Sequence, residues 1–151
     1  MNEWTSVAEV LDFAIQRERE AVVFYKQLAA KTTSASTRAA YEDFAKEEAG
    51  HQAKLVHMKE SGQLEQANAK VLDLRIGDYL VEPNPDMELD YPQALILAMK
   101  REKAAFKLYS DLAAATDDAD LRAALLVLAQ EEAKHKLRFE VEYDEHVLDE
   151  D

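Results

Sequence analysis

The chain has no cysteine. That excludes disulfide staples, thiolate zinc sites and iron–sulfur clusters from these residues. Glycine and proline are nearly as scarce, three of each in 151 residues. With so few breakers, and with alanine, glutamate, lysine and leucine abundant, helix is the default conformation. Basic residues are outnumbered: 18 lysines and arginines face 31 aspartates and glutamates, a formal net charge of −13. No basic patch exists to neutralise phosphates, so neither nucleic acid nor an anionic membrane is an expected partner, whereas cations are. No apolar run approaches the roughly 20 residues that span a bilayer. Met1 to Ser6 form neither a basic nor an apolar leader segment. No signal peptide is expected, and the cytoplasm is the expected compartment.

What is present is a repeat. Phe44-Ala45-Lys46-Glu47-Glu48-Ala49-Gly50-His51 returns as Leu128-Ala129-Gln130-Glu131-Glu132-Ala133-Lys134-His135, and the step is constant (132 − 48 and 135 − 51 are both 84). Glu18 and Glu102, and Tyr25 and Tyr109, keep the same step. Hydrophobic residues make up 48% of the chain, enough for one domain over residues 1–151 with a continuous core.

Ser6-Val7-Ala8-Glu9 has the capping-box pattern and opens a first helix. Its inner stripe, at steps of three and four, is Val7, Leu11, Ala14, Glu18, Ala21, Tyr25 and Leu28. Thr32-Thr33-Ser34 turns the chain. The second helix places Tyr41, Phe44, Glu48, His51, Leu55 and Met58 inside and stops at Ser61-Gly62. The first repeat therefore covers about 5–61 and the second about 91–148, joined by a crossover over about 62–90. Within the crossover, Val71 to Ile76 alternates briefly, suggesting a short strand or turn, and Glu82-Pro83-Asn84-Pro85-Asp86 is a breaker. A link this long fits two helical hairpins related by a twofold axis, because the second and third helices then run parallel and the chain must travel the bundle's length. Asp90-Tyr91-Pro92-Gln93 starts the third helix, with Leu95, Ala98, Glu102, Ala105, Tyr109 and Leu112 inside. Asp118 stands at the repeat position of Ser34, both as N-caps. The fourth helix carries Leu121, Leu125, Leu128, Glu132, His135 and Phe139 inward, and the tail Asp149-Glu150-Asp151 reads as solvated.

A glutamate on an apolar seam must be paired, protonated or bound to a metal. Here four glutamates and two histidines share one seam, and Arg17 and Arg101 point about 100° away from Glu18 and Glu102. Glu18, Glu48, His51, Glu102, Glu132 and His135 make the donor set of a carboxylate-bridged dinuclear site in a helical bundle, a hard oxygen and nitrogen mixture suited to iron or manganese. Tyr25 and Tyr109 lie two turns beyond Glu18 and Glu102, either as core aromatics or as donors to those carboxylates, with redox activity a further reading. Glu20, Glu47 and Glu131 fall on other faces and read as solvated, as do His57 and His146. Trp4, Phe13, Phe24 and Phe106 read as core or dimer contacts.

These motifs resemble the ferritin-like di-iron proteins, and among them the rubrerythrin-like branch. Ala14-x-x-x-Glu18-x-x-Ala21-x-x-Phe24-Tyr25 and Ala98-x-x-x-Glu102-x-x-Ala105-x-x-Leu108-Tyr109 are similar to that branch's first and third helices. Glu48-x-x-His51 and Glu132-x-x-His135 are similar to its second and fourth. The resemblance implies an all-α, ferritin-like four-helix bundle of two pseudo-twofold hairpins with a long crossover. It implies two iron ions bridged by Glu48 and Glu132, with Glu18 and Glu102 as terminal ligands and His51 and His135 completing the two sites. Two departures stand out. The cysteine-rich rubredoxin domain that feeds electrons to rubrerythrins is absent from these residues, and their extra glutamate on the third helix is replaced by Ala105.

The expected function is a non-haem di-iron oxidoreductase that reacts with H2O2 or O2, by peroxide detoxification or ferroxidation, and draws on an external electron donor. The alternatives are a ferritin-like iron-binding or storage protein, and a structural bundle holding zinc or manganese. A homodimer is expected from the resemblance and from surplus apolar residues in the crossover.

Overall fold

The computed structural model describes residues 4–81 and 89–150. The Glu82 to Asp86 breaker and the side chains of the acidic tail lie outside the described residues. Every regular element among those described is helical.

Helix α1 (Val7–Lys31) begins at Ser6, whose hydroxyl accepts from the Glu9 amide at 3.1 Å. The expected capping box closes only halfway, because the Glu9 carboxylate accepts the Thr5 hydroxyl at 2.6 Å instead. All seven residues of the expected inner stripe of α1 are buried. Helix α2 (Ala35–Ser61) is capped by Ser34, which accepts from the Thr37 amide at 3.3 Å. It ends where Gly62 turns left-handed at φ 71°, a conformation that costs glycine least. On α2 the inner seam differs by one residue: Ala45 is buried, and Phe44 sits half-buried at the edge.

The crossover forms no strand among its described residues. A 3-10 turn (Gln63–Ala67), the short helix α3 (Asn68–Leu72) and a second 3-10 turn (Ile76–Tyr79) follow one another. A lone strand would find no sheet edge to pair with here, so the backbone groups are satisfied locally instead. Examples are Leu74 N to Val71 O at 3.1 Å and Asp78 N to Arg75 O at 3.0 Å. Leu64, Val71 and Tyr79 bury their side chains on the bundle, and the Tyr79 hydroxyl donates to Asp111 Oδ2 at 2.7 Å.

Helix α4 (Tyr91–Ala115) opens on a complete capping box: Gln93 N donates to Asp90 Oδ1 at 2.8 Å and Asp90 N donates to Gln93 Oε1 at 3.1 Å. Helix α5 (Ala119–Glu150) is capped by Asp118, which accepts from the amides of Asp120 and Leu121 at 3.0 and 3.1 Å. None of the helices described is long and apolar enough to cross a membrane.

Two cross-links fix the relative direction of α1 and α4. The Tyr25 hydroxyl of α1 meets Glu102 of α4, while Glu18 of α1 accepts from Tyr109 of α4. Ascending order on one helix meets descending order on the other, so α1 and α4 are antiparallel. Because each hairpin reverses the chain, α2 and α4 run parallel, as the long crossover requires.

The hairpin turns also repeat. Arg38 donates from Nε to Ala29 O at 3.2 Å and from its terminal nitrogen to Thr32 O at 3.0 Å. Arg122, its mate (122 − 38 = 84), makes the same bonds to Ala113 O and Thr116 O. Each arginine satisfies carbonyls left open where the preceding helix ends. Because both guanidinium groups are exposed, replacing either with alanine is expected to cost about 1–2 kcal/mol. A thermal melt should then show a Tm lower by roughly 2–8 °C.

The apolar core lies in two clusters. One gathers Trp4, Leu11, Leu55, Leu112, Leu125 and Leu128, and the other Tyr25, Leu28, Tyr41, Leu95 and Phe139. Trp4 is buried edge-on against Phe13, and Phe24 is half-buried. Phe106 leaves the core assignment: it is exposed on α4, outside the seam on which Glu102 and Tyr109 face inward.

Candidate metal centre

Between the two apolar clusters lies a layer of ionisable side chains with almost no access to water. Glu18, Glu48, His51, Glu102, Glu132 and His135 are each at most 2% exposed. The four long helices contribute one residue or one Glu-x-x-His pair each, since positions three apart on a helix share a face. The structure brings all six together.

They form two quartets, Glu18, Glu48, His51 and Glu132, and Glu48, Glu102, Glu132 and His135, with ligand atoms within 4.8 Å of one another in each. Glu48 and Glu132 belong to both. His51 Nδ1 lies 2.8 Å from Glu132, 3.1 Å from Glu48 and 3.3 Å from Glu18. His135 Nδ1 lies 3.3 Å from both Glu48 and Glu102. These approaches are close, yet both Nδ1 atoms, both Glu48 oxygens and one oxygen each of Glu18, Glu102 and Glu132 lack a hydrogen-bond partner. Such orphans are costly when buried. Their lone pairs converge on shared points between the side chains, which is the arrangement a cation in each quartet would satisfy.

The remaining atoms are held from outside the layer. Tyr109 donates to Glu18 Oε1 at 2.6 Å, and Tyr25 donates to Glu102 Oε1. Of the two readings open for these tyrosines, the geometry shows both at once: buried core rings that also donate to site carboxylates. His51 Nε2 lies 2.9 Å from Glu131, and His135 Nε2 lies 2.6 Å from Glu47. A carboxylate facing Nε2 keeps the proton there and leaves Nδ1 as the free lone pair. This corrects the reading of Glu47 and Glu131 as merely solvated. Each is partly exposed, yet each reaches across the α2–α5 seam to the histidine of the other hairpin. The signal was available, since these residues also stand 84 apart (131 − 47). Glu20 remains a surface charge, 3.1 Å from Arg17.

Among the described residues, two cavities border the layer, one on its glutamate side and a second on the α2–α5 side, where Phe44, Glu47, Glu131 and His135 line it. A cavity of about 50 Å³ between α1 and α4 touches all four site glutamates and is walled by Ala14, Ala21, Ala104, Ala105, Leu108 and Phe13. That is room for a few water-sized molecules. Arg17 and Arg101 flank it, each guanidinium lying over a phenylalanine ring, Phe13 and Phe24 respectively. The histidines and their carboxylate partners occupy the opposite side.

With protein groups alone, the layer holds protons. Burial and then the Glu48 charge push Glu18 up to about 8 and Glu102 up to about 7. Burial and the charges of Glu102, Glu18 and Glu48 raise Glu132 well above the carboxylate range. Glu48 moves the other way: burial opposes its ionisation, but the close approach of the His135 and His51 imidazoles, 3.3 and 3.1 Å away, holds it well below the carboxylate range. Burial also opposes charging of the imidazoles, yet Glu18 and Glu48 carry His51 up to about 11, and Glu102 and Glu48 carry His135 up to about 10.

The consequence for stability has a definite sign. Groups raised on folding bind extra protons in the native state, so stability falls as pH rises from the unfolded value towards the folded one. For Glu18 the window runs from 4.5 to about 8, and for His51 from 6.5 to about 11. Glu48 acts oppositely, losing its contribution only in strong acid. Chelator-treated protein is therefore expected to melt at a lower temperature at about pH 8.5 than at about pH 5.5. Metal-loaded protein should lack that slope, because cations replace the protons. Melts at both pH values, with and without chelator, measure the difference.

The rubrerythrin family model matches residues 9–143. Among solved structures, a Thermotoga maritima protein assigned to the ferritin-like diiron-carboxylate proteins superposes with a TM-score of 0.74 at 20% identity, covering 97% of this chain and 99% of its own. That likeness shows the fold. No curated protein gives a significant match.

Proposed function

Since the chain belongs to the rubrerythrin family, we propose that it is a non-haem di-iron oxidoreductase that reduces H2O2 or O2 in its α1–α4 cavity. The observation that carries this reading is the pair of quartets sharing Glu48 and Glu132, whose unpartnered atoms face a small cavity with apolar walls.

In this reading Glu48 and Glu132 would serve both ions, Glu18 and Glu102 would each hold one, and His51 and His135 would offer Nδ1. Two ferrous ions bound there supply one electron each to an oxidant. The chain's own residues do the rest. Tyr109 and Tyr25 hold one oxygen of Glu18 and Glu102 and leave the other free for metal. Glu131 and Glu47 keep the Nε2 protons in place and so fix both imidazole tautomers. Glu48, with neither oxygen hydrogen-bonded, and Glu132, with one oxygen unpartnered, are free to shift how they bind as charge changes. The alanine and leucine walls admit a small neutral molecule and exclude bulk water. With Ala105 in place of a further carboxylate, α4 adds no carboxylate beyond Glu102 to the cavity wall.

Anaerobic protein loaded with Fe(II), mixed in a stopped flow with H2O2 and separately with O2, tests the proposal. Oxidation far faster than that of free Fe(II), with one oxidant clearly preferred, is expected. Iron that oxidises no faster than in buffer would contradict it.

A further inference from the structure

The pseudo-twofold symmetry fails in the core beyond Tyr25, where aromatic side chains stand against aliphatic mates. Beyond Tyr25 the core is aromatic: ring centroids stand 5.2 Å apart from Tyr25 to Phe139 and 5.6 Å from Phe139 to Tyr41. Phe44 stacks on the His135 ring at 4.1 Å and lies 6.3 Å from Tyr41. The hydroxyl oxygens of Tyr41 and Tyr91 are 2.6 Å apart, and Tyr91 donates to Glu142 Oε1 at 3.0 Å. Because the Tyr91 proton is used on Glu142, Tyr41 is the donor to Tyr91.

In the other half, the positions equivalent to Tyr41, Phe44, Phe139, Tyr91 and Glu142 hold Leu125, Leu128, Leu55, Val7 and Met58 (125 − 41 = 84, and so for each). All five are buried in the first apolar cluster. Aliphatic side chains therefore suffice to pack this part of the fold. The aromatic half instead carries phenols that need hydrogen-bond partners, a requirement its counterpart avoids. Tyr25 alone has kept its mate, Tyr109, and only from Tyr25 does a row of rings lead outward, to the half-exposed phenol of Tyr91.

We propose that Tyr25, Tyr41 and Tyr91 form a one-electron relay between the metal centre and the surface at Glu142, an inference that rests on the di-iron reading above. A phenol gives up an electron readily only together with its proton, and each has a route for it: Tyr25 to Glu102, Tyr91 to Glu142, and Tyr41 to Tyr91 as Tyr91 passes its own proton on to Glu142. Phe139, much harder to oxidise, bridges Tyr25 and Tyr41. Reduction of O2 to two waters takes four electrons and four protons; solvent supplies the protons, and two bound ferrous ions would give two of the electrons. The relay brings in the other two singly. Each phenol passes an electron inward and its proton to its acceptor. At the Tyr91 end a one-electron donor of the ascorbate or hydroquinone class returns the electron, and the carboxylate returns the proton. Without the relay, O2 meeting only two electrons stops at H2O2.

The test uses full-length protein loaded with two Fe(II) per chain, mixed with O2, freeze-quenched and read by EPR, with iron oxidation followed optically in the same samples. Wild type is expected to show a transient tyrosyl signal that ascorbate quenches. In Tyr41→Phe and Tyr91→Phe, quenching slows by an order of magnitude or more and released H2O2 rises; in Tyr143→Phe it does not slow. Tyr41→Leu, which installs the residue of the equivalent position, gives the same result as Tyr41→Phe if packing is preserved. Iron oxidation without a tyrosyl signal, or with quenching unchanged in the Tyr41 and Tyr91 variants, overturns the relay and leaves the di-iron reading standing. Absence of iron oxidation overturns both.

Discussion

Replacing Glu48 with alanine is expected to remove both metal ions, not one. Glu48 belongs to both quartets, and neither of its oxygens has a hydrogen-bond partner. Its loss takes a donor from each site and removes the one carboxylate that both imidazoles favour ionised. Glu132→Ala should behave alike, since it too is shared. Glu18→Ala and Glu102→Ala differ, because each of those residues serves a single quartet. Desalted protein should then carry about one ion per chain in the Glu18 and Glu102 variants and close to none in the Glu48 and Glu132 variants. Metal analysis alongside circular dichroism separates lost binding from lost fold. Equal retention in all four variants would contradict the shared geometry.

The second large effect is on stability. A ligand that binds only the folded state at a hundred times its Kd stabilises by about 2.7 kcal/mol, and two such ions by about 5 kcal/mol. At 2–4 °C per kcal/mol for a domain of this size, loading should raise Tm by roughly 10–20 °C. The physical source is local: metal replaces the protons and the like-charge crowding that hold Glu18, Glu102 and Glu132 away from their ordinary pKa. A calorimetric scan of loaded against chelated protein reads this directly. Matching transitions would mean that the cluster is stable on protons alone.

The parts of this molecule that were legible in the sequence are those a helical period can encode. Ser6, Ser34, Asp90 and Asp118 mark helix starts because an N-cap acts on the next three amides, and Gly62 marks an end through its own left-handed φ. The six clustered glutamates and histidines were legible because each interrupts an apolar stripe, and the stripe says which way a residue faces. Glu47 and Glu131 were missed by the same logic. One step of about 100° from the seam predicts solvent, and they do reach solvent, but the adjacent helix carries a histidine whose far nitrogen emerges there. Arg38 and Arg122 were missed because their partners are carbonyls, which a side-chain pattern does not display. The Val71 to Ile76 alternation left strand and turn both open, because period two over six residues is too short to distinguish a strand from tight helical turns. Phe106 shows that an aromatic side chain off the seam carries no assurance of burial.

The most direct test of the central claim, a bridged pair of metal ions held by these six residues, is an anaerobic Fe(II) titration followed by Mössbauer spectroscopy after one equivalent of oxidant. The account predicts saturation at two Fe(II) per chain and a single spin-coupled diferric product. Saturation at one ion, or two ferric ions that behave as independent mononuclear centres, would contradict it.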